Sequence, residues 1–275
     1  MGLVEGKIVR DVTLALNLLP SYRYPLPSHD VLIENLDQIL DRVGKISRAA
    51  PELPLDGLKL RSPVANPGKI IAAPVNYQKH LDEVKGDAQL HQNTQAHTIT
   101  IQKAGLFLKA NSSLVGPGEG IALRHLDRRN DHEVELAVVM GKDGRVAGYS
   151  IGLDITIRGT EDRSFRKSPD SYTVLGPWLV TPDEVAEPGN LDLEIAVNGE
   201  TRQKSNTKYM ILGVPELIQM ASSFYTLHPG DIISTGTPQG VGLGRDPKRW
   251  LKPGEEITIE ISSIGKLVNK TVAGE

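Results

Sequence analysis

The segment Asp131-His132-Glu133-Val134-Glu135-Leu136-Ala137-Val138-Val139-Met140 limits the fold more than any other stretch of the chain. Extended, it places Glu133, Glu135, Ala137 and Val139 on one face and Val134, Leu136, Val138 and Met140 on the other. The second face is wholly apolar, and the first is apolar after its two opening carboxylates. A strand apolar on both faces is buried on both, so other layers must cover it from each side. Two carboxylates about 7 Å apart at Cα on one buried face are costly unless a cation sits between them. A divalent metal turns that repulsion into binding. The alternative is a solvated strand start with both glutamates in water.

The rest of the chain is cut into short pieces by 27 glycines and 18 prolines, with no internal repeat. Over residues 30–49, Leu32, Leu36, Ile39, Leu40 and Val43 recur at three- and four-residue steps behind Asp30, which predicts a capped helix. Pro51 and Pro54 stop it. Residues 58–67 read as a connector, giving a small N-terminal unit over 1–63 and a larger domain over 64–275. Strands are predicted at 70–73, 106–109, 133–140, 148–156, 178–180, 191–197, 231–235 and 256–261. One helix interrupts them at 214–223, with Pro215 in its first turn. Many strands and few helices predict a β-rich α+β fold whose sheets roll or sandwich around one core.

Composition removes several classes of function. A net charge of −3 supplies no general field for nucleic acid, and 4% aromatic residues are too few for a base-stacking platform. With no cysteine, any metal must be held by carboxylates, histidines or carbonyls, which favours magnesium, calcium or manganese. No stretch reaches the roughly 18–20 apolar residues of a membrane span. The first ten residues carry Glu5, Lys7 and Arg10 without a long apolar run, unlike a secretory signal. A cytoplasmic protein with neither nucleic acid nor membrane as partner is expected.

Four further segments carry candidate chemistry. Asp154 interrupts the apolar run 148–156, either as a third ligand or as a strand-end cap. In Asn76-Tyr77-Gln78-Lys79-His80-Leu81-Asp82-Glu83, His80 and Glu83 share a face if the segment is helical. A carboxylate beside an imidazole raises its basicity and fixes its tautomer, as a water-activating base requires, though an exposed ion pair has the same spacing. Lys167 offers a cation for a developing oxyanion, or a solvated surface charge. The stretch 229–242 runs from a strand into a glycine-rich loop whose amides could approach an anion. It lacks the Gly-Lys-Ser/Thr ending of a phosphate loop.

In this order the pieces closely resemble the fumarylacetoacetate hydrolase family. The motifs are Asn-Tyr-x-x-His-x-x-Glu at 76–83, Phe-x-Lys-x-x-x-Ser-Leu-x-Gly-Pro-Gly at 107–118 and His-Glu-x-Glu-Leu-x-x-Val-x-Gly at 132–141. They continue with Gly-Tyr and Asp-x-Thr-x-Arg at 148–158, Lys-Ser at 167–168, Leu-Gly-Pro-Trp at 175–178 and Val-Asn-Gly-Glu-x-x-Gln at 197–203. The last is Leu-x-Pro-Gly-Asp-x-Ile-x-Thr-Gly-Thr-Pro-x-Gly-Val-Gly at 227–242. The resemblance implies a mixed β-sandwich roll, usually assembled as a homodimer. It implies Mg²⁺ or Mn²⁺ on Glu133, Glu135 and Asp154, and an acid/base dyad of His80 and Glu83 on a short helix closing over the site. Lys167 would stabilise charge on substrate oxygen, and Thr237, with Gly236 and Tyr77, would hold the substrate. The implied activity is hydrolysis of a C–C bond in an acylpyruvate-type 2-oxo acid through a metal-held enolate. Isomerisation of a hydroxymuconate-type diene and decarboxylation of oxaloacetate pass through the same intermediate. A catalytically silent binding protein would not need the dyad.

The chain also departs from the family pattern. Gly159 stands where a carboxylate usually follows Arg158, leaving Asp162 as a substitute. The proline that often precedes Phe107 is absent, and Pro169 replaces an aromatic after Lys167-Ser168. The unrecognised stretch 85–103, with His91 and His97, falls where a specificity-setting lid is expected.

Overall fold

The structure is a computed structural model that describes residues 1–85 and 100–274. His91 and His97, and with them most of the expected lid, lie outside the described residues. The first three strands are β1 (Gly2–Glu5), β2 (Ile8–Asp11) and β3 (Glu52–Pro54). Next come β4 (Ile70–Ala72), β5 (Phe107–Lys109), β6 (Leu114–Val115), β7 (Ile121–Leu123) and β8 (Arg129–Asp131). Then follow β9 (Val134–Met140), β10 (Val146–Asp154), β11 (Thr156–Arg158) and β12 (Thr173–Val180). The chain closes with β13 (Asp192–Val197), β14 (Glu200–Asn206), β15 (Ile232–Ser234), β16 (Glu256–Ile261) and β17 (Gly265–Ala273). The α-helices are α1 (Val31–Glu34), α2 (Leu36–Ile46), α3 (Gln78–Lys85), α4 (Ile101–Ala104), α5 (Arg163–Arg166) and α6 (Val214–Ser222).

A seven-stranded mixed sheet, in the order β5-β4-β15-β9-β10-β12-β6, holds β9 at its middle. Every residue of β9 is buried, and its two faces enter different clusters. Val134, Leu136, Val138 and Met140 pack with Leu193, Ile195, Ile257 and Ile259 of a second, five-stranded sheet, β14-β13-β16-β17-β7. Ala137 and Val139 pack instead with Ile33 of α1, Val64, Ile70 and Ile232. The two-sided apolar pattern therefore becomes a sheet sandwich on one side and a cover that includes α1 on the other.

The helix expected over 30–49 is two helices and a closing 3₁₀ turn, broken at Asn35. Asn35 sits at φ −104°, ψ 18°, and its side-chain amide donates back to the Val31 carbonyl at 2.8 Å, in competition with the helical ladder. Asp30 does cap α1, accepting from the Ile33 amide at 3.1 Å. Its other oxygen accepts from the amides of Ala65 and Asn66, at 3.1 and 3.0 Å. One aspartate thus starts the helix and ties it to the chain entering β4.

The strands β14 and β17 carry no clear sequence signal. Their inward positions include Gln203, Asn206, Asn269 and Thr271, so the alternation of apolar and polar residues is lost. The strand expected over 148–156 is also divided. β10 ends at Asp154, and β11 leaves it to pair with β8. Among the described residues no helix is long and apolar enough to cross a membrane.

Candidate active site

Three carboxylates gather at one end of the paired strands β9 and β10. Glu133 immediately precedes β9, Glu135 is its second residue and Asp154 is the last of β10. The antiparallel register sets Leu153 opposite Val134, and the Asp154 amide donates to the Glu133 carbonyl at 2.9 Å. One oxygen from each of the three side chains lies within 4.8 Å of the others, and all three residues are buried. An all-oxygen donor set of this charge fits a hard divalent cation.

The electrostatics support that fit. Burial, and next the charges of Asp154 and Glu133, push the Glu135 carboxyl up to about 8, against the pull of Lys167 and the Gly236 amide. Burial would raise Glu133 as well, but Lys167 and Arg158 outweigh it and hold it below the usual carboxylate range. A pH dependence of stability follows from Glu135. A carboxyl raised in the folded state stabilises the fold fully below its ordinary range, and that contribution is lost as pH rises towards about 8. Buried His132 is shifted downward, first by burial, so it acts oppositely below its ordinary value of 6.5. The melting temperature of chelator-treated protein is therefore expected to fall between pH 6.5 and about 8. Saturating Mn²⁺ should flatten that fall, and a rising or flat profile in the chelated protein would refute the assignment.

Cations surround the cluster. The Lys167 ammonium lies 2.6 Å from both Glu133 and Asp154 and donates to the Thr156 hydroxyl at 2.5 Å. Lys109, wholly buried on β5, donates to Asp154 at 2.6 Å and to the Tyr172 carbonyl at 2.8 Å. Burial lowers the Lys109 pKa, and Asp154 opposes the shift. Arg158 Nε donates to Asp131 at 2.8 Å, and its Nη2 lies 2.7 Å from Glu133. Asp131 also accepts from the amides of Gly242 and Leu243, at 2.6 and 3.1 Å. Asp131 therefore supplies the partner that Gly159 cannot. Asp162 does not fill that place; it caps α5 through the Ser164 amide.

His80 and Glu83 lie on α3, with His80 Nδ1 3.3 Å from the Glu83 carboxylate. The other Glu83 oxygen accepts from the Gly240 amide at 2.7 Å. Val84 of the same helix packs on Val241 and Leu243, so α3 rests on the glycine-rich loop. A Cβ at Gly244 would stand 2.6 Å from the Glu83 carboxylate, which explains a glycine there. His80, Glu133, Lys167 and Thr237 line one cleft with Phe107, Val75 and Arg158. The Thr237 hydroxyl accepts from the Gln203 amide group at 2.8 Å.

The other two sequence candidates sit behind the cleft wall. Gly236 donates its amide to Glu135 at 2.9 Å, and its φ of +91° needs a glycine. Tyr77 is buried, its hydroxyl unpartnered, and burial followed by the Glu135 charge raises its pKa. Among the described residues neither lines the cleft. Sequence reasoning left Lys109, Asp131, Gln203, Arg163 and Arg166 without roles. Lys109 had a signal, a lysine ending an otherwise apolar strand and inside a quoted motif. Gln203 too lies inside a quoted motif, and the partners of the others become visible only when distant segments meet.

Residues 69–272 match the family model for the fumarylacetoacetate (FAA) hydrolase C-terminal domain, and the chain belongs to that family. It is 56% identical over 277 residues to the maleylpyruvate hydrolase of Aquipseudomonas alcaligenes, covering 97% of this chain and 94% of the relative. It resembles the crystal structure of maleylpyruvate hydrolase from Sphingobium sp. SYK-6 in complex with manganese(II) and pyruvate. The TM-score is 0.81 at 34% identity, covering 100% of this chain and 96% of that one. A mitochondrial oxaloacetate tautomerase of Rattus norvegicus is 38% identical over 237 residues, covering 81% of this chain and 72% of that relative.

Proposed function

We propose that the protein hydrolyses the C–C bond of an acylpyruvate-type 2-oxo acid, as the maleylpyruvate hydrolases it resembles are named for doing. The observation that carries this reading is the opening of Glu133, Lys167 and His80, the last held by Glu83, onto a single cleft. Glu133, Glu135 and Asp154 would hold Mg²⁺ or Mn²⁺, which when bound supplies a Lewis acid for the 2-oxo acid end of the substrate. Glu83, fixed by Gly240, orients His80 through Nδ1 and leaves Nε2 for water. His80 takes a proton from that water as its oxygen attacks the distal carbonyl carbon. The bond between that carbon and the methylene then breaks, its electron pair passing to pyruvate enolate. His80 returns the proton to the methylene carbon, so one water becomes part of a carboxylic acid and pyruvate. Lys167 offsets the negative charge on the enolate oxygen. Thr237, oriented by Gln203, would hold the substrate carboxylate, with Gly236 and Tyr77 shaping the wall behind it.

The test is an assay of the Mn²⁺-loaded protein against acylpyruvates, oxaloacetate and hydroxymuconate-type dienes. Metal-dependent release of pyruvate from acylpyruvates is the expected result. Loss of enol absorbance without pyruvate would replace hydrolysis by tautomerisation or isomerisation. The same reading includes a cytoplasmic homodimer, on the family pattern. Sedimentation at micromolar concentration should give a dimer mass, and a monomer would refute that part alone.

A further inference from the structure

We propose that Arg166, with Arg163 beside it, seats a second carboxylate at the far end of the substrate, so that the protein selects dicarboxylic acylpyruvates. The inference rests on the hydrolase reading for the orientation of the substrate, and on the arginines for the rest. Both residues line the cleft that holds His80, Lys167 and Thr237. They stand three apart on the single turn of α5, which sets them on one face, whereas Phe165 between them is 76% exposed.

Arg166 is only 4% exposed, and its Nε has no hydrogen-bond partner. Its Nη1 reaches the Ile157 carbonyl at a long 3.4 Å. A buried guanidinium with an unmet donor is costly and calls for an acceptor with two oxygens in its plane. No carboxylate of the protein fills that place among the described residues. Asp131 and Glu133 are engaged by Arg158, and Asp154 by the two lysines. Burial, followed by the charge of Arg158, pulls Arg166 down to about 10, against the opposing pull of Glu133 and Asp154.

The charge balance points the same way. Five cations around the cleft (Lys109, Arg158, Arg163, Arg166 and Lys167) are matched by five carboxylates (Glu83, Asp131, Glu133, Glu135 and Asp154), so the protein's own charges balance there. A bound divalent ion would make the site net positive by two charges. A 2-oxo acid with one carboxylate returns a single negative charge, and a dicarboxylic one returns two. The proximal carboxylate belongs with the metal ligands and Thr237, which leaves the arginines for the distal one.

The experiment compares a dicarboxylic substrate, maleylpyruvate, with a monocarboxylic one, acetylpyruvate, on metal-loaded wild type, Arg166→Gln, Arg163→Gln and Arg166→Lys. For Arg166→Gln, kcat/KM on maleylpyruvate should fall about 10–100-fold, the worth of a charge-assisted hydrogen bond, mostly through KM. Acetylpyruvate turnover should change by no more than about threefold, because that substrate never engages the pair. Arg163→Gln should show a smaller loss of the same kind, and Arg166→Lys should restore part of the preference. Equal losses on both substrates would overturn the proposal and assign Arg166 to supporting the carboxylate cluster. A calorimetric comparison of maleate with isocrotonate, the cis acid that has a methyl in place of one carboxylate, tests the seat without turnover. Wild type should prefer maleate and Arg166→Gln should not; a wild type that binds both equally would also overturn the proposal. If no acylpyruvate is hydrolysed but the arginine-dependent preference for maleate persists, the hydrolase reading fails and the distal seat stands.

Discussion

Asp154→Asn and Glu135→Gln proteins are expected to bind Mn²⁺ more than about 100-fold more weakly than wild type, beyond the usual cost of losing an outer-shell partner. Turnover should vanish with the metal. Both substitutions keep shape and remove charge, so the sandwich that buries these positions is not opened. Asp154 carries the larger expected effect, because Lys109 and Lys167 both depend on it. Its loss leaves two buried ammonium groups short of an anion, which then repel an incoming cation. Competition against a chromophoric chelator measures the affinity, and pyruvate release measures turnover. Full activity in a chelated preparation, or wild-type affinity in Asp154→Asn, would remove the metal from the mechanism.

His80→Ala should separate the base from the metal. The imidazole bonds to Glu83 and not to the three carboxylates, so Mn²⁺ affinity should stay near that of wild type. Hydrolysis of an acylpyruvate should fall about 10²–10⁴-fold, the usual worth of a positioned general base. Glu83→Gln should lose less, since its carbonyl oxygen can still accept from Gly240 and hold α3 on the glycine-rich loop. A protein that merely tautomerises its substrate activates no water, and its His80→Ala variant would keep most of its rate. Loss of metal together with activity would show that the histidine belongs to the ion.

Part of this site can be read directly from the chain because its geometry is local. Glu133 and Glu135 are two apart on one strand and His80 and Glu83 three apart on one helix, so backbone periodicity alone brings each pair onto one face. The apolar faces of Val134–Met140 likewise fix a central, doubly covered strand before any partner is known. The cap at Asp30 is local too, whereas its second use, holding Ala65 and Asn66, is not.

What the residue order leaves open is which charges meet across long separations. Asp131 finds Arg158, Gly242 and Leu243 only because β8 pairs with β11 and the glycine-rich loop folds back onto both. Lys109 reaches Asp154, 45 residues away, through the packing of distant strands. Strands β14 and β17 are fixed by their neighbours, since Gln203 and Asn269 on their inward positions erase the pattern that would announce them. The sequence by itself therefore determined the family, through the resemblance of its ordered motifs, and the central strand and the two local pairs, which rest on short-range periodicity. The tertiary structure decided how cations and carboxylates interleave at the site, and left Arg166, a residue of the cleft lining, buried with an unmet donor. Coulomb energies depend on distance in space and on desolvation, and neither is set by spacing along a chain.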